Sequence, residues 1–218
     1  IVLVVGYMGE LIVDYVQGRD DFEVVESVPQ PEQLGLGHAV LMAREIIGDE
    51  PFAVFLPDDI IWGAMPTIGS MIEQYREHGS NVIAVKDVPD SAVPFLGIVD
   101  GRPVSDSEYV LSGMVEKPSL ENAPSNLAII GRYVLSPEIF DILERVEPGA
   151  VGEIQLTDAI KVMMENPGVR AYRFPGRHFD VGTPAGLLKA SIHAALQRDE
   201  MKDDIVEWMK LAIAEHEH

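Results

Sequence analysis

Hydrophobic positions follow two rhythms along this chain. Up to residue 88, short β-branched runs alternate with helical spacings; beyond it come longer strands and polar turns. Ile1–Val5 is a continuous apolar run and predicts a buried strand, and Glu10–Gln17, closed by Gly18, predicts a helix. Phe22–Val28 interleaves apolar residues with acids and predicts a second strand, stopped by Pro29. The loop Gln30–Gly37 leads to a helix from His38 to Ile47, with Val40, Ala43 and Ile47 on one face. Phe52–Leu56, bounded by Pro51 and Pro57, has the pattern of a central parallel strand. A helix over Pro66–His78 and a strand over Asn81–Val88 follow. This βα repetition predicts an α/β protein with a doubly wound, mixed and mainly parallel sheet flanked by helices, Rossmann-like in type.

From residue 89 the pattern changes. Two polar stretches, Pro89–Pro94 and Asp100–Glu108, flank the short segment Phe95–Val99, and strands are expected at Tyr109–Glu116 and Leu127–Leu135. Helices are expected at Pro137–Val146 and Glu153–Glu165, the first opened by Ser136 as N-cap and Pro137 in the first turn. A strand at Arg170–Phe174, an apolar piece at Phe179–Val181 and a helix Pro184–Gln197 complete the core. Residues 199–218 read as one more amphipathic helix, with an apolar stripe at Ile205, Trp208, Met209 and Ala212. The expected organisation is one domain over 1–198 and a C-terminal helix over 199–218 that serves assembly.

Charge narrows the choice of partners. The chain has 218 residues, 16 Lys+Arg against 36 Asp+Glu, and a formal net charge of −20. That balance opposes nucleic acid and anionic membrane, whose phosphates it would repel. No cysteine is present, which excludes disulfides, thiolate zinc sites and a cysteine nucleophile. No apolar run is long enough to span a bilayer. The chain opens inside an apolar strand without an initiator Met, so the expectation is that its natural N-terminus lies upstream of Ile1.

Four segments carry candidate chemistry. Leu56-Pro57-Asp58-Asp59 places two acids past a strand end, where open α/β sheets bind ligands; they can hold a hard cation, or simply form a turn. Gly35-Leu36-Gly37-His38 leads into a helix, where glycines allow close approach and first-turn N–H groups attract anions. The same glycines also suit a tight loop-to-helix junction, and His38 by itself reads as a first-turn polar residue. Met114-Val115-Glu116-Lys117-Pro118 sets an acid and one of only six lysines at a strand end, fit for sugar hydroxyls and a phosphate, or for plain solvation. Phe179-Asp180-Val181-Gly182-Thr183-Pro184 offers an acid that is either a second metal ligand or a helix-start residue.

Together, and in this order, these segments resemble the bacterial UTP–glucose-1-phosphate uridylyltransferases, a family of sugar-phosphate nucleotidyltransferases. The resemblance runs from Gln30 to Gln197. It also includes Gly97-Ile98-Val99, Gly113 before the Met114 segment, Gly131-Arg132-Tyr133 and Gly152-Glu153-Ile154-Gln155-Leu156-Thr157-Asp158-Ala159. It implies that Gln30, Gly35 and His38 bind the nucleotide, with Gln30 on the uracil edge. It also implies that Gly97 and Glu116 hold glucose hydroxyls, that Lys117 binds the sugar phosphate, and that Asp58 and Asp180 share Mg²⁺. Lys117, Asp58 and Asp180 would then be the catalytic set. UTP, glucose 1-phosphate and UDP-glucose are the implied ligands, in a cytoplasmic homo-oligomer, dimer or tetramer.

The departures from the family pattern bear on this expectation. The family's glycine-rich loop with its arginine and lysine would lie before Ile1, and Leu96 stands where an aromatic is usual. Val151 interrupts the glycine run before Glu153. Residues 1–60 hold 12 acids and two bases, so they carry −10, half the total deficit. The resemblance attributes that excess to the cationic loop lying outside this chain. A thymidylyltransferase, another sugar nucleotidyltransferase, and a catalytically dead paralogue that only binds sugar nucleotides are the alternatives.

Overall fold

The structure is a computed structural model and describes residues 1–19, 25–149, 152–166 and 168–216. The chain forms two compact units: Ile1–Val54 with Thr67–Phe174, and Phe55–Pro66 with Pro175–His218. The expected boundary at 198/199 falls inside the second unit.

The first unit opens with β1 (Val2–Val5), α1 (Gly9–Gln17) and β2 (Glu26–Pro29), the strands pairing in parallel. The start of the expected strand, residues 22–24, lies outside the described residues, as do Ala150 and Val151 of the glycine run. β1 is half-buried along its length rather than buried. Next come α2 (Leu36–Met42) and α3 (Arg44–Ile47), which break at Ala43 the single helix expected from 38 to 47. Val40 and Ala43 are buried, as the apolar face requires.

The main sheet has six strands. β3 (Phe52–Phe55), β5 (Asn81–Asp87), β6 (Gly97–Pro103), β7 (Glu108–Glu116), β8 (Leu127–Leu135) and β9 (Val169–Arg173) lie in the order β3-β8-β5-β9-β7-β6. The sheet is mixed, but not mainly parallel: β5–β9 is parallel, whereas β5–β8, β6–β7 and β7–β9 are antiparallel. The cause is the stretch after residue 89. There β6 and β7 form an antiparallel pair and β8 returns against β5. β3 is also not central: it ends the strand order, with Phe52 and Val54 half-buried and Ala53 and Phe55 exposed. The central strand is β5, where Val82, Ile83, Ala84 and Val85 are fully buried.

Helices α4 (Thr67–His78), α5 (Glu138–Leu143) and α6 (Leu156–Met163) complete the unit, burying Met71, Phe140, Ile160 and Met163. Phe140 stacks on Phe52 at 5.0 Å between centroids. Ser136 does not cap α5. The buried Asn81 Oδ1 accepts a bond from the Ser136 backbone N–H at 2.7 Å, while the buried Ser136 hydroxyl has no partner among the described residues. α6 begins at Leu156 rather than Glu153 because the backbone of Ile154 is engaged elsewhere. Its N–H donates to Leu34 O at 2.7 Å and its carbonyl accepts from Gly37 N–H at 2.9 Å.

The second unit is a two-stranded antiparallel ribbon, β4 (Asp59–Trp62) with β10 (Arg177–Asp180), followed by α7 (Pro184–Leu196) and α8 (Asp199–His216). The turn that Pro-Asp-Asp suggested is present at Pro57-Asp58, closed by a bond from Asp59 N–H to Leu56 O at 3.3 Å, and β4 starts directly after it at Asp59. The Thr183 side chain caps α7, accepting from Gly186 N–H at 3.1 Å, with Pro184 in the first turn. On α8, Ile205, Met209 and Ala212 are half-buried, whereas Trp208 joins Leu211 and Ile213 among the exposed residues.

Candidate functional site

In the second unit, strand pairing brings together two acids that lie far apart in sequence. The β4–β10 ladder continues past its last register pair, Asp180↔Asp59, through a bond from Val181 N–H to Asp58 O at 2.8 Å. Asp58 and Asp180 therefore meet at the end of the ribbon. A methyl placed on Gly182 would sit 3.1 Å from Asp180 Oδ1 and 3.1 Å from Asp58 Oδ2. Glycine thus keeps open a point that two carboxylate oxygens flank. Asp180 Oδ1 also accepts from Gly182 N–H at 2.9 Å, which fixes its rotamer.

The donor set suits a hard divalent cation. Among the described residues no group of three or more His, Cys, Asp or Glu side chains is placed to hold a metal. Mg²⁺ ordinarily takes one or two carboxylates from a protein, with phosphate and water oxygens completing its octahedron. The adjacent acid, Asp59, does not join the pair. Its Oδ1 accepts a hydrogen bond from His178 Nε2, and both side chains are largely buried. No motif pointed to His178. The signal was its spacing: His178 and Asp180 alternate on one face of a strand.

In the first unit, Gln30, Gly35 and His38 are clustered. Gln30 Nε2 donates to Gly35 O at 3.1 Å and lies 3.1 Å from His38 Nδ1. Because the carbonyl can only accept, Nε2 is the donor and His38 Nδ1 the acceptor, which places the proton of a neutral ring on Nε2. Gln30 Oε1 is left to accept from a ligand. The glycines here also have a packing role: a methyl at Gly35 or Gly37 would come within 2.8 or 2.7 Å of Ile154 O. Gly35 also takes φ +96°, in the region that favours glycine. The Gly35-Leu36-Gly37 and Glu153-Ile154 segments of the sequence are thus two halves of one contact.

Gly97, Glu116 and Lys117 are also adjacent. Gly97 and Glu116 face each other across β6–β7, and a methyl on Gly97 would lie 3.1 Å from Glu116 Oε2. Lys117 bonds through its N–H to Leu96 O at 3.1 Å and turns into the left-handed region, φ +46°. Its Nζ lies 3.9 Å from Glu116 Oε1 and the side chain is mostly exposed. An acid and a cation are thus presented side by side at a strand end, the acid beside a residue without a side chain.

The mixed sheet with its flanking helices defines an α/β protein. The nucleotidyl transferase family profile matches residues 1–197, and the chain belongs to that family. It is 45% identical over 199 residues to the UTP–glucose-1-phosphate uridylyltransferase of Staphylococcus haemolyticus, covering 91% of this chain and 69% of that protein. A UDP-glucose pyrophosphorylase solved with UDP-glucose has a similar structure, with a TM-score of 0.79 and 35% identity over 89% of this chain and 75% of that one. A UTP-bound UGPase from Acinetobacter baumannii gives a TM-score of 0.77 and 37% identity, over 95% of this chain and 71% of that one.

Proposed function

We propose that this chain transfers a uridylyl group from UTP to α-D-glucose 1-phosphate, giving UDP-glucose and pyrophosphate. The observation that carries the reading is the meeting of Asp58 and Asp180 around Gly182. The names of the relatives favour uridylyl over thymidylyl transfer and over a binding-only paralogue.

In this reading a phosphate oxygen of the sugar phosphate attacks the α-phosphorus of UTP. The new P–O bond forms as the bond to the β-phosphate bridging oxygen breaks, and pyrophosphate leaves with that electron pair. Such transfers need positioning and charge neutralisation rather than a protein nucleophile. Gln30 Oε1 accepts from the uracil ring N–H, held in place by the bonds its Nε2 makes to Gly35 and His38. Glu116 accepts hydroxyls of glucose in the space left by Gly97, and the Lys117 ammonium neutralises the sugar phosphate. Asp58 and Asp180 hold Mg²⁺, which when bound supplies positive charge to phosphate oxygens. The reading places the protein in the cytoplasm as a homo-oligomer, with the exposed Trp208, Leu211 and Ile213 of α8 as the surface for assembly.

Pyrophosphate release from UTP and glucose 1-phosphate tests the reaction, and initial rates with UTP against dTTP test the base. Asp180→Asn is expected to lower kcat by about 10²–10³-fold, the scale of losing one preorganised electrostatic group. A faster rate with dTTP, or sugar-nucleotide binding without pyrophosphate release, would overturn the assignment.

A further inference from the structure

Three acids, not two, gather at the end of the β4–β10 ribbon. Asp59 lies directly opposite Asp180 in the antiparallel register and is adjacent in sequence to Asp58. Opposed residues of an antiparallel pair share a face, and their side chains are close enough for like charges to repel. Asp59 should therefore either repel Asp180 or join it around a cation. His178, two residues before Asp180 on the same strand face, stands diagonally from Asp59 and donates Nε2–H to its Oδ1. The pair is well buried, 17% exposed at His178 and 16% at Asp59, so little water competes for that carboxylate.

We propose that His178 is a positioning residue that withdraws the Asp59 carboxylate from the cation site, so that the protein offers the ion two carboxylates and no more. The inference rests on the reading of Asp58 and Asp180 as cation ligands. Its consequence is chemical. A third carboxylate would occupy positions that phosphate oxygens and water must take around Mg²⁺, and would favour an ion that accepts a cage of protein oxygens. The imidazole thereby sets how many coordination positions remain for substrate. Hydrogen bonding by Nε2–H does this whether or not the ring is charged, so the effect is read at a single pH.

The test is Mn²⁺ binding to the whole protein without nucleotide, followed by the EPR signal of the free ion, with melting temperature as a folding control. Wild type and His178→Gln, whose amide still donates to Asp59, are expected to share a Kd within twofold. His178→Leu releases Asp59 and is expected to bind Mn²⁺ at least fivefold tighter. Adding Asp59→Asn to His178→Leu should return the Kd to the wild-type value. A folded His178→Leu protein with unchanged or weaker binding overturns the proposal, because a purely structural role would lower stability without tightening binding. Should His178→Leu fail to fold, Asp59→Asn alone decides: Mn²⁺ binding within twofold of wild type supports withdrawal, and a tenfold loss makes Asp59 a ligand and overturns it. Unchanged binding in both Asp58→Asn and Asp180→Asn would instead defeat the ligand assignment on which the proposal rests.

Discussion

A methyl group at Gly186 would overlap the carbonyl oxygen of Asp180. Helix propensity alone favours alanine there by about 1 kcal/mol, since Gly186 lies in the first turn of α7. The contact reverses that sign. Gly186→Ala is expected to displace Asp180, lowering both the melting temperature and cation affinity, the latter more than tenfold. Gly113→Ala is the matched control, because its methyl would meet only Asp100 Cβ, at an ordinary 3.7 Å. Lys117 gives the opposite trade. A non-glycine residue at φ +46° carries backbone strain of about 1 kcal/mol. Lys117→Gly is therefore expected to raise thermal stability by about that amount while raising KM for glucose 1-phosphate, measured by calorimetry and steady-state kinetics. A parallel fall in stability and activity would mean that the lysine is held by packing rather than by its part in phosphate binding.

Elements with both a clear period and clear ends were legible from the chain alone. β8 occupies residues 127–135 as its apolar run indicates, and α7 begins after Thr183 because Thr-Pro is a strong start signal. Thr183→Ala should accordingly cost about 1 kcal/mol in chemical denaturation. Other elements depended on partners that no local pattern reveals. The turn at Pro57-Asp58 was legible, but the strand β4 that follows from Asp59 shows only when β10 supplies its hydrogen bonds. The start of α6 was set by Ile154 pairing with Leu34 and Gly37, more than a hundred residues away in sequence. The site divides in the same way. The family resemblance implied that Asp58 belongs with Asp180 and Gln30 with Gly35, and each set is close in the structure. The bond from His178 to Asp59 was hidden because it is a diagonal contact, fixed by register rather than by a motif.

The burial of apolar side chains is unequal between the two units. Among the described residues, every buried hydrophobic side chain lies in the first unit except Ala190 and Ala195, both small. Burial stabilises by about 25 cal/mol per Å² of apolar surface, so two alanines contribute little beside Phe140, Leu143, Ile160 and Met163. The second unit nevertheless carries Asp58 and Asp180, and several acids crowd its ribbon end. Regions with few buried apolar contacts open at lower free energy than the global unfolding limit. In hydrogen exchange followed by mass spectrometry, amides of β5 and β8 are therefore expected to exchange slowest, and those of β4, β10 and α8 substantially faster. Ligands that bind only the ordered form stabilise it by mass action. Mg²⁺ with UDP-glucose should thus slow exchange most in β4 and β10, where the carboxylates lie, and least in α8. Equal slowing across all elements would mean that the second unit opens only when the whole protein unfolds, and its thin core would then have to be compensated by contacts other than apolar burial.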